Sequence, residues 1–137
     1  MSATCVRDIM PDTMVTVSES DRLSTVEDIM RLGRVRHMPV VRGGELVGVV
    51  SERDLLRASL SSLTDFEVDA HRAFLHGVEI AKVMSSPAVV VEPTASVEEA
   101  ARRMSEAKIG CLPVVDGERL IGLVTETDVL RYFAERV

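Results

Sequence analysis

The stretch Gly122-Leu123-Val124-Thr125-Glu126-Thr127-Asp128 has an earlier twin, Gly48-Val49-Val50-Ser51-Glu52-Arg53-Asp54. In each, an apolar run ends at a hydroxyl residue, and an acid follows three positions later. That pattern predicts a strand running straight into the first turn of a helix, with Ser51 or Thr125 at the N-cap and Asp54 or Asp128 at N3. A helix N-terminus offers free backbone N–H groups and positive dipole potential, which suits an anion such as phosphate. A carboxylate beside it would repel phosphate but would accept hydrogen bonds from the hydroxyls of a neighbouring sugar. Hydroxyl plus acid at this spacing fits a ribose phosphate. It also fits an ordinary helix cap that binds nothing, and a single copy would not separate the two readings.

The motif occurs twice because the chain is duplicated. Met10 aligns with Met84, Met30 with Met104, Pro39 with Pro113, Gly48 with Gly122 and Asp54 with Asp128, every pair 74 residues apart without a gap. Between Met38 and Arg57, 11 of 20 positions are identical to those 74 residues later. The repeats span roughly residues 6–60 and 80–134. Units of that size bury too little apolar surface alone, so the two are expected to pack together about a pseudo-twofold axis, with a cleft for each motif at or beside the shared interface.

Of the 137 residues, 46% are apolar but only 3% aromatic, the composition of Val, Ile and Leu strands packed on helices. A net charge of −6 argues against non-specific nucleic-acid binding through a basic face. Two cysteines, Cys5 and Cys111, make no disulfide framework. No apolar run is long enough for a membrane span, and Arg7 and Asp8 break any signal-peptide pattern, so a reducing cytoplasm is the expected location.

Along the chain, the lead-ins Val6 to Met10 and Ile80 to Met84 precede short strands at Val15-Thr16-Val17 and Val89-Val90-Val91. Leu23, Val26 and Met30 keep a helical period, as do Val97, Ala100, Ala101 and Met104. Ser96 with Glu99 forms a capping box for the second of these helices, while Asp21 and Ser24 compete to cap the first. Each repeat then has Pro-Val-Val, a turn at Gly43-Gly44 or Asp116-Gly117, and a second apolar run, which reads as a hairpin. Pro39 and Pro113, unable to donate to a ladder, belong at a strand start or edge. A helix after each hydroxyl–acid motif completes a β-α-β-β-α unit. Between the repeats, Thr64 and Glu67 form another capping box, Phe66, Ala70, Ala73 and Phe74 share a face, and Gly77 is a C-cap, so a connecting helix is expected. The division is therefore residues 1–60, a helical linker over 61–79, and residues 80–137.

Two tandem units of this layout, each ending in Gly-apolar-apolar-Ser/Thr-x-x-Asp, resemble a pair of CBS domains, the arrangement called a Bateman module. The resemblance covers nearly the whole chain. It implies a mixed α/β (α+β) fold and a ligand that contains adenosine: AMP, ADP, ATP or S-adenosylmethionine. It further implies that Ser51 and Thr125 contact phosphate and that Asp54 and Asp128 contact ribose hydroxyls. The base is then expected against Thr16 and Val17 with Arg36, His37, Met38 and Pro39, and against Val90 and Val91 with Gly110, Cys111, Leu112 and Pro113.

The repeats differ around the motif. The first carries Arg34, Arg36, His37 and Arg53 where the second has Lys108, Gly110, Cys111 and Thr127. Arginine grips phosphate oxygens bidentately, so nucleotide phosphates are expected mainly on the first-repeat cations. The alternative is that these arginines only solvate an exposed loop. Catalysis is not expected. His71 and His76 stand five apart, poor spacing for two metal ligands, and Cys111 falls in an apolar hairpin. No phosphate-binding glycine loop or Ser-His-Asp order is present. The expected role is a regulatory module that senses cellular energy through adenine nucleotides, forms a homodimer and acts in trans on a protein partner. The competing readings are an S-adenosylmethionine sensor and a ligand-free dimerisation protein.

Overall fold

The computed structural model describes residues 4–60 and 68–136. The elements are a one-turn helix α1 (Val6–Ile9), β1 (Val17–Ser18), α2 (Leu23–Gly33), β2 (His37–Arg42), β3 (Glu45–Ser51) and α3 (Glu52–Leu60). They continue with α4 (Val68–His76), a 3-10 turn (Ile80–Lys82), α5 (Val97–Ala107), β4 (Cys111–Asp116), β5 (Arg119–Thr125) and α6 (Glu126–Glu135). Thr64, Phe66, Glu67 and the side chain of Ala70, assigned above to the connecting helix, lie outside what is described. Helix α4 itself is present, and Gly77 ends it by donating to the Ala73 carbonyl at 3.1 Å.

The sheets follow the duplication. β2 and β3 form an antiparallel hairpin from His37 opposite Ser51 to Arg42 opposite Glu45, and β1 runs parallel along the other side of β2. β4 and β5 repeat that hairpin from Cys111 opposite Thr125 to Asp116 opposite Arg119. The bulges match too, between Val40 and Val41 and between Val114 and Val115. Gly43 and Gly44 turn the first hairpin at φ of 55° and 87°, and Gly117 turns the second at 65°. These are left-handed conformations that cost a side-chain-bearing residue more than they cost glycine.

Four local expectations need correction. The opening strands are shorter than their valine runs: β1 begins at Val17, and in the second repeat Val91 makes only an isolated parallel bridge to Val114. Thr16 and Val90 precede the paired segment: β2 and β4 continue past that level, but Pro39 and Pro113 have no N–H with which to extend the parallel ladder. Pro39 and Pro113 stand third in six-residue strands rather than at their starts; Pro39 lies in the central strand of its sheet, while Pro113 lies in an edge strand, as expected. The Pro113 carbonyl accepts from Val91 N–H at 3.0 Å. Its ring nitrogen faces the same side, where the pairing stops. Neither Asp21 nor Ser24 caps α2. The N-cap is Arg22 without a side-chain bond, Asp21 turns back to accept from Ser18 N–H at 2.8 Å, and Leu23 N–H is satisfied by the Val78 carbonyl at 2.9 Å. At α5, Ser96 does cap by accepting from Glu99 N–H at 3.1 Å, but the Glu99 carboxylate bonds Arg102 and Arg103 instead of closing the box.

The chain forms two compact units, Val15–Pro87 and Met1–Met14 with Ala88–Val137. These are not the sequence repeats, because the lead-ins are exchanged. Ile80, which opens the second repeat, is fully buried in the first-repeat core with Val17, Leu23, Val26, Met30, Met38, Val40 and Val50. Val6, which opens the first repeat, is fully buried with Val91, Val97, Ala100, Met104, Leu112, Val114 and Val124. Every residue in one set has its duplicate in the other. The paired methionines of α2 and α5 are thus core filler.

Behind each lead-in sits a motif glycine. A methyl group on Gly48 would lie 2.7 Å from the Ser85 carbonyl oxygen and 2.8 Å from Met84 Sδ, and one on Gly122 would lie 2.6 Å from Met10 Sδ. The first clash is with backbone that is itself fixed to β3, since Val49 and Ser85 exchange N–H to carbonyl bonds of 3.0 and 2.8 Å. The second is with the end of a flexible side chain, which can shift by a fraction of an ångström and keep its contact with the strand. Gly48→Ala should therefore cost about 1–3 kcal/mol of stability by overpacking, and Gly122→Ala clearly less, as read by urea unfolding of the two variants.

Helix α4 belongs to the Val15–Pro87 unit alone. Leu75 is fully buried in that core. Arg72 of α4 bonds Glu27 and Asp28 of α2 at 2.7 Å each, and His71 Nε2 stands 3.5 Å from the Glu27 carboxylate. The Arg72 hydrogen bond, opposed by partial desolvation and aided by its charge, holds the Asp28 carboxyl below its ordinary range. A group depressed on folding stabilises above its unfolded value, about pH 4 for a carboxylate, and that contribution is lost as pH falls through the lower folded value. Amide exchange in α4, relative to its intrinsic rate at each pH, should accordingly accelerate below about pH 4. Arg72→Ala should accelerate it at neutral pH and flatten the acid response.

Candidate functional site

β3 ends at Ser51 and α3 begins at Glu52, and β5 ends at Thr125 and α6 begins at Glu126, with no residue between strand and helix. A reciprocal cap holds each junction. Ser51 donates its N–H and its hydroxyl to Asp54 Oδ2 at 2.8 and 3.0 Å, and Asp54 N–H donates back to Ser51 Oγ at 3.2 Å. Thr125 and Asp128 repeat the arrangement at 2.9, 3.1 and 3.5 Å. The helix-cap reading of the motif is thus realised in both copies.

The cap does not exhaust the acids. Asp54 is 9% exposed and Asp128 7%, and burying an ionised carboxylate is costly unless it is well bonded. The cap donors and the helix N-terminus supply that compensation through one oxygen, Oδ2. Oδ1 of Asp54 makes no hydrogen bond among the described residues, and no buried side-chain oxygen there lacks a partner, so this oxygen meets solvent. Oδ1 of Asp128 has the Arg131 guanidinium 4.0 Å away. Each junction therefore presents one acceptor at the start of a helix.

The loop before each hairpin is tied to the same point. Glu52 N–H donates to the Arg36 carbonyl at 2.8 Å and Glu126 N–H to the Gly110 carbonyl at 2.9 Å. These bonds use the first helix amide; the next, on Arg53 and Thr127, has no acceptor within its own helix. Directly cross-strand residues share a face, so His37 stands beside Ser51 and Cys111 beside Thr125.

Within each unit the expected residues fall into two groups. Arg36, His37, Ser51, Arg53 and Asp54 gather around the first junction, with Thr16 exposed just ahead of β1. Gly110, Cys111, Thr125, Thr127 and Asp128 gather around the second, with Val90 half-buried just ahead of the Val91 bridge. Val17, Met38, Val91 and Leu112 instead send their side chains into the cores, and Pro39 and Pro113 are buried in the hairpins. Of these six, main-chain atoms are what a ligand can use. No alternation marked them, since Met38 to Val40 and Cys111 to Val114 are buried without a break.

One residue escaped the sequence reading. Arg103 of α5 donates from Nη1 to the Val90 carbonyl at 2.6 Å and from Nε to Glu99 at 3.1 Å. It places a cation beside the second-repeat strand, where the duplicate position in the first repeat is Ile29. The Glu-to-Arg spacing of four was visible as a helix pair; its carbonyl target was not.

Comparison with known proteins agrees with this geometry. The family model for the CBS domain matches twice, over residues 6–61 and 80–135. Protein MJ1404 of Methanocaldococcus jannaschii is 32% identical over 98% of the chain, which spans 33% of that protein's length. The CBS domain pair of protein MJ0100, solved with 5'-methylthioadenosine and S-adenosyl-L-methionine, superposes with a TM-score of 0.83 at 25% identity, covering 99% of this chain and 100% of that one. CBSX2, solved with AMP, superposes with a TM-score of 0.78 at 29% identity, covering 96% and 97%. No helix among the described residues is long and apolar enough to cross a membrane. With the duplicated β-α-β-β-α layout, both strand-to-helix junctions and both family matches in place, the chain belongs to the CBS domain family as a tandem pair.

Proposed function

We propose that the chain is a regulatory module that binds an adenosine-containing ligand at the two strand-to-helix junctions. The observation that carries this is the pair of buried acids, each with one oxygen locked in a cap and the other beside a helix N-terminus. A cap alone does not require a buried acid. A vicinal diol, however, can donate to that second oxygen while a phosphate takes the Arg53 or Thr127 amide. The liganded neighbours, one with AMP and one with adenosyl compounds, support the same ligand class.

Phosphate charge is assigned mainly to the first repeat, where Arg34, Arg36 and Arg53 are exposed around the junction. The second junction, with Thr127 and Gly110, suits a less charged adenosyl group. The decisive experiment is a calorimetric series with AMP, ADP, ATP, S-adenosylmethionine and 5'-methylthioadenosine. Asn at position 54 or 128 keeps a cap acceptor but loses a carboxylate oxygen, so Asp54→Asn or Asp128→Asn should weaken its own site about 10–100-fold, the worth of a hydrogen bond to a charged group. Arg53→Ala should weaken ATP more than S-adenosylmethionine. No heat with any of the five ligands would sink the reading and leave a ligand-free interaction protein.

Action on a partner in trans and self-association belong to the same reading. Leu56 and Leu130 occupy duplicate positions on α3 and α6 and are 59% and 66% exposed, with Leu60 and Phe133 beside them. Large apolar side chains displayed at repeat-related sites suit a homodimer. Sedimentation of a Leu56→Glu/Leu130→Glu variant should show a smaller species than the parent chain, and equal masses would remove the assignment.

A further inference from the structure

We propose that Met10 and Met84 are paired oxidation sites whose conversion to sulfoxide releases the exchanged lead-ins from the strands that carry the ligand motif. This release is independent of which ligand, if any, the junctions bind. Of the described methionines, Met30, Met38 and Met104 are buried in the two cores, whereas Met10, Met14 and Met84 are half-buried. Two of these three occupy duplicate positions and make duplicate contacts: Met10 Sδ lies 2.6 Å from where a Cβ on Gly122 would be, and Met84 Sδ 2.8 Å from where one on Gly48 would be. Each thioether is the plug that fits its lead-in onto a motif strand. The Met84 side is reinforced by the Ser85–Val49 backbone pair, and the Met10 side by burial of Val6.

Both residues are half-buried rather than sealed in a core. Met10 lines a pocket of about 400 Å³ with Arg7, Glu92, Thr94, Asp116 and Ile121, an approach from solvent whose walls are polar and apolar in about equal measure. The reaction is a two-electron transfer. A sulfur lone pair attacks one peroxide oxygen, an S–O bond forms as the O–O bond breaks, and hydrogen peroxide leaves as water while the thioether becomes a sulfoxide. The product is larger, pyramidal and strongly polar, and it has no place against glycine backbone. Swinging it into water strips the lead-in of its contact with Gly122 or Gly48, three residues before Thr125 or Ser51. Enzymatic reduction of the sulfoxide restores the fit.

The test is graded hydrogen peroxide treatment of the full chain, followed by peptide mass mapping and amide exchange. Met10 and Met84 should gain one oxygen well before Met38. Exchange in residues 6–10 and 80–85 should then rise about tenfold as the contact is lost. A Met10→Leu/Met84→Leu variant, near in volume and inert to peroxide, should keep its unfolding midpoint under the same treatment. Each single variant should protect its own lead-in, which serves as the test if the double variant folds poorly. Met14→Leu, half-buried but away from both glycines, should leave the peroxide response unchanged. Oxidation of Met10 and Met84 no faster than Met38, or their oxidation with unaltered lead-in exchange, overturns the proposal. An equal peroxide-induced loss of midpoint in the Leu variants does the same.

Discussion

Neither repeat closes its own core. Each places one helix across a hairpin and leaves the end of that sandwich open, and what fills the opening is an aliphatic side chain from the head of the other repeat. Val6 and Ile80 are both fully buried, each among the duplicates of the other's neighbours. A fully buried Val or Ile is worth about 1.5–3 kcal/mol in transfer free energy, a large share of a small unit's net stability. The lead-in backbone is fixed alongside, Val6 N–H donating to the Ala95 carbonyl at 2.9 Å and Ile80 N–H to the Asp21 carbonyl at 2.9 Å. Duplication and folding are therefore linked: a lone repeat would lack the residue that completes it.

The same economy governs the strand-to-helix junctions. An immediate change from extended to helical backbone leaves the first helix amides unpaired; the Ser51 or Thr125 hydroxyl accepts from the Asp54 or Asp128 amide, while one oxygen of that acid accepts the N-cap residue's own N–H and hydroxyl. The structural and ligand-binding readings of the motif are thus not rivals, since they use different oxygens of one side chain. The loop carbonyls of Arg36 and Gly110 complete the frame by occupying the amides of Glu52 and Glu126. This brings a segment some fifteen residues upstream in the chain to the same spot.

Periodicity and duplication made the architecture legible in the sequence. The 74-residue offset registers both hairpins, both glycine turns and both junctions, because those features depend on residue types with narrow roles: Gly at positive φ, Pro without a donor, Asp at N3. Features decided by partners distant in sequence were less visible. Asp21 and Ser24 both have cap chemistry, yet the α2 terminus is satisfied by the Val78 carbonyl, which no local pattern announces. The valine runs at 15–17 and 89–91 promised longer strands than the neighbouring ladder accommodates. At the junctions, types and spacing marked Ser51, Asp54, Thr125 and Asp128, which form the two reciprocal caps. The hydrophobic members Val17, Met38, Val91 and Leu112 were placed there although their side chains serve the cores.

Sequence drift between the two copies has acted on what surrounds the frame and spared the frame itself. The core duplicates and the caps are retained, whereas the groups around them have diverged in charge. The first repeat surrounds its junction with Arg36, His37 and Arg53 and leaves Ile29 under its opening strand. The second replaces those with Gly110, Cys111 and Thr127, and brings Arg103 up to the Val90 carbonyl instead. In the first repeat the cations lie on exposed loop and helix-start positions, where long-range attraction is screened and direct contact with an anion decides binding. In the second, the cation is committed to a backbone carbonyl and to Glu99, so it stiffens the strand more than it attracts charge. An equal frame with unequal surroundings is what two sites of one ligand class and different charge preference would require.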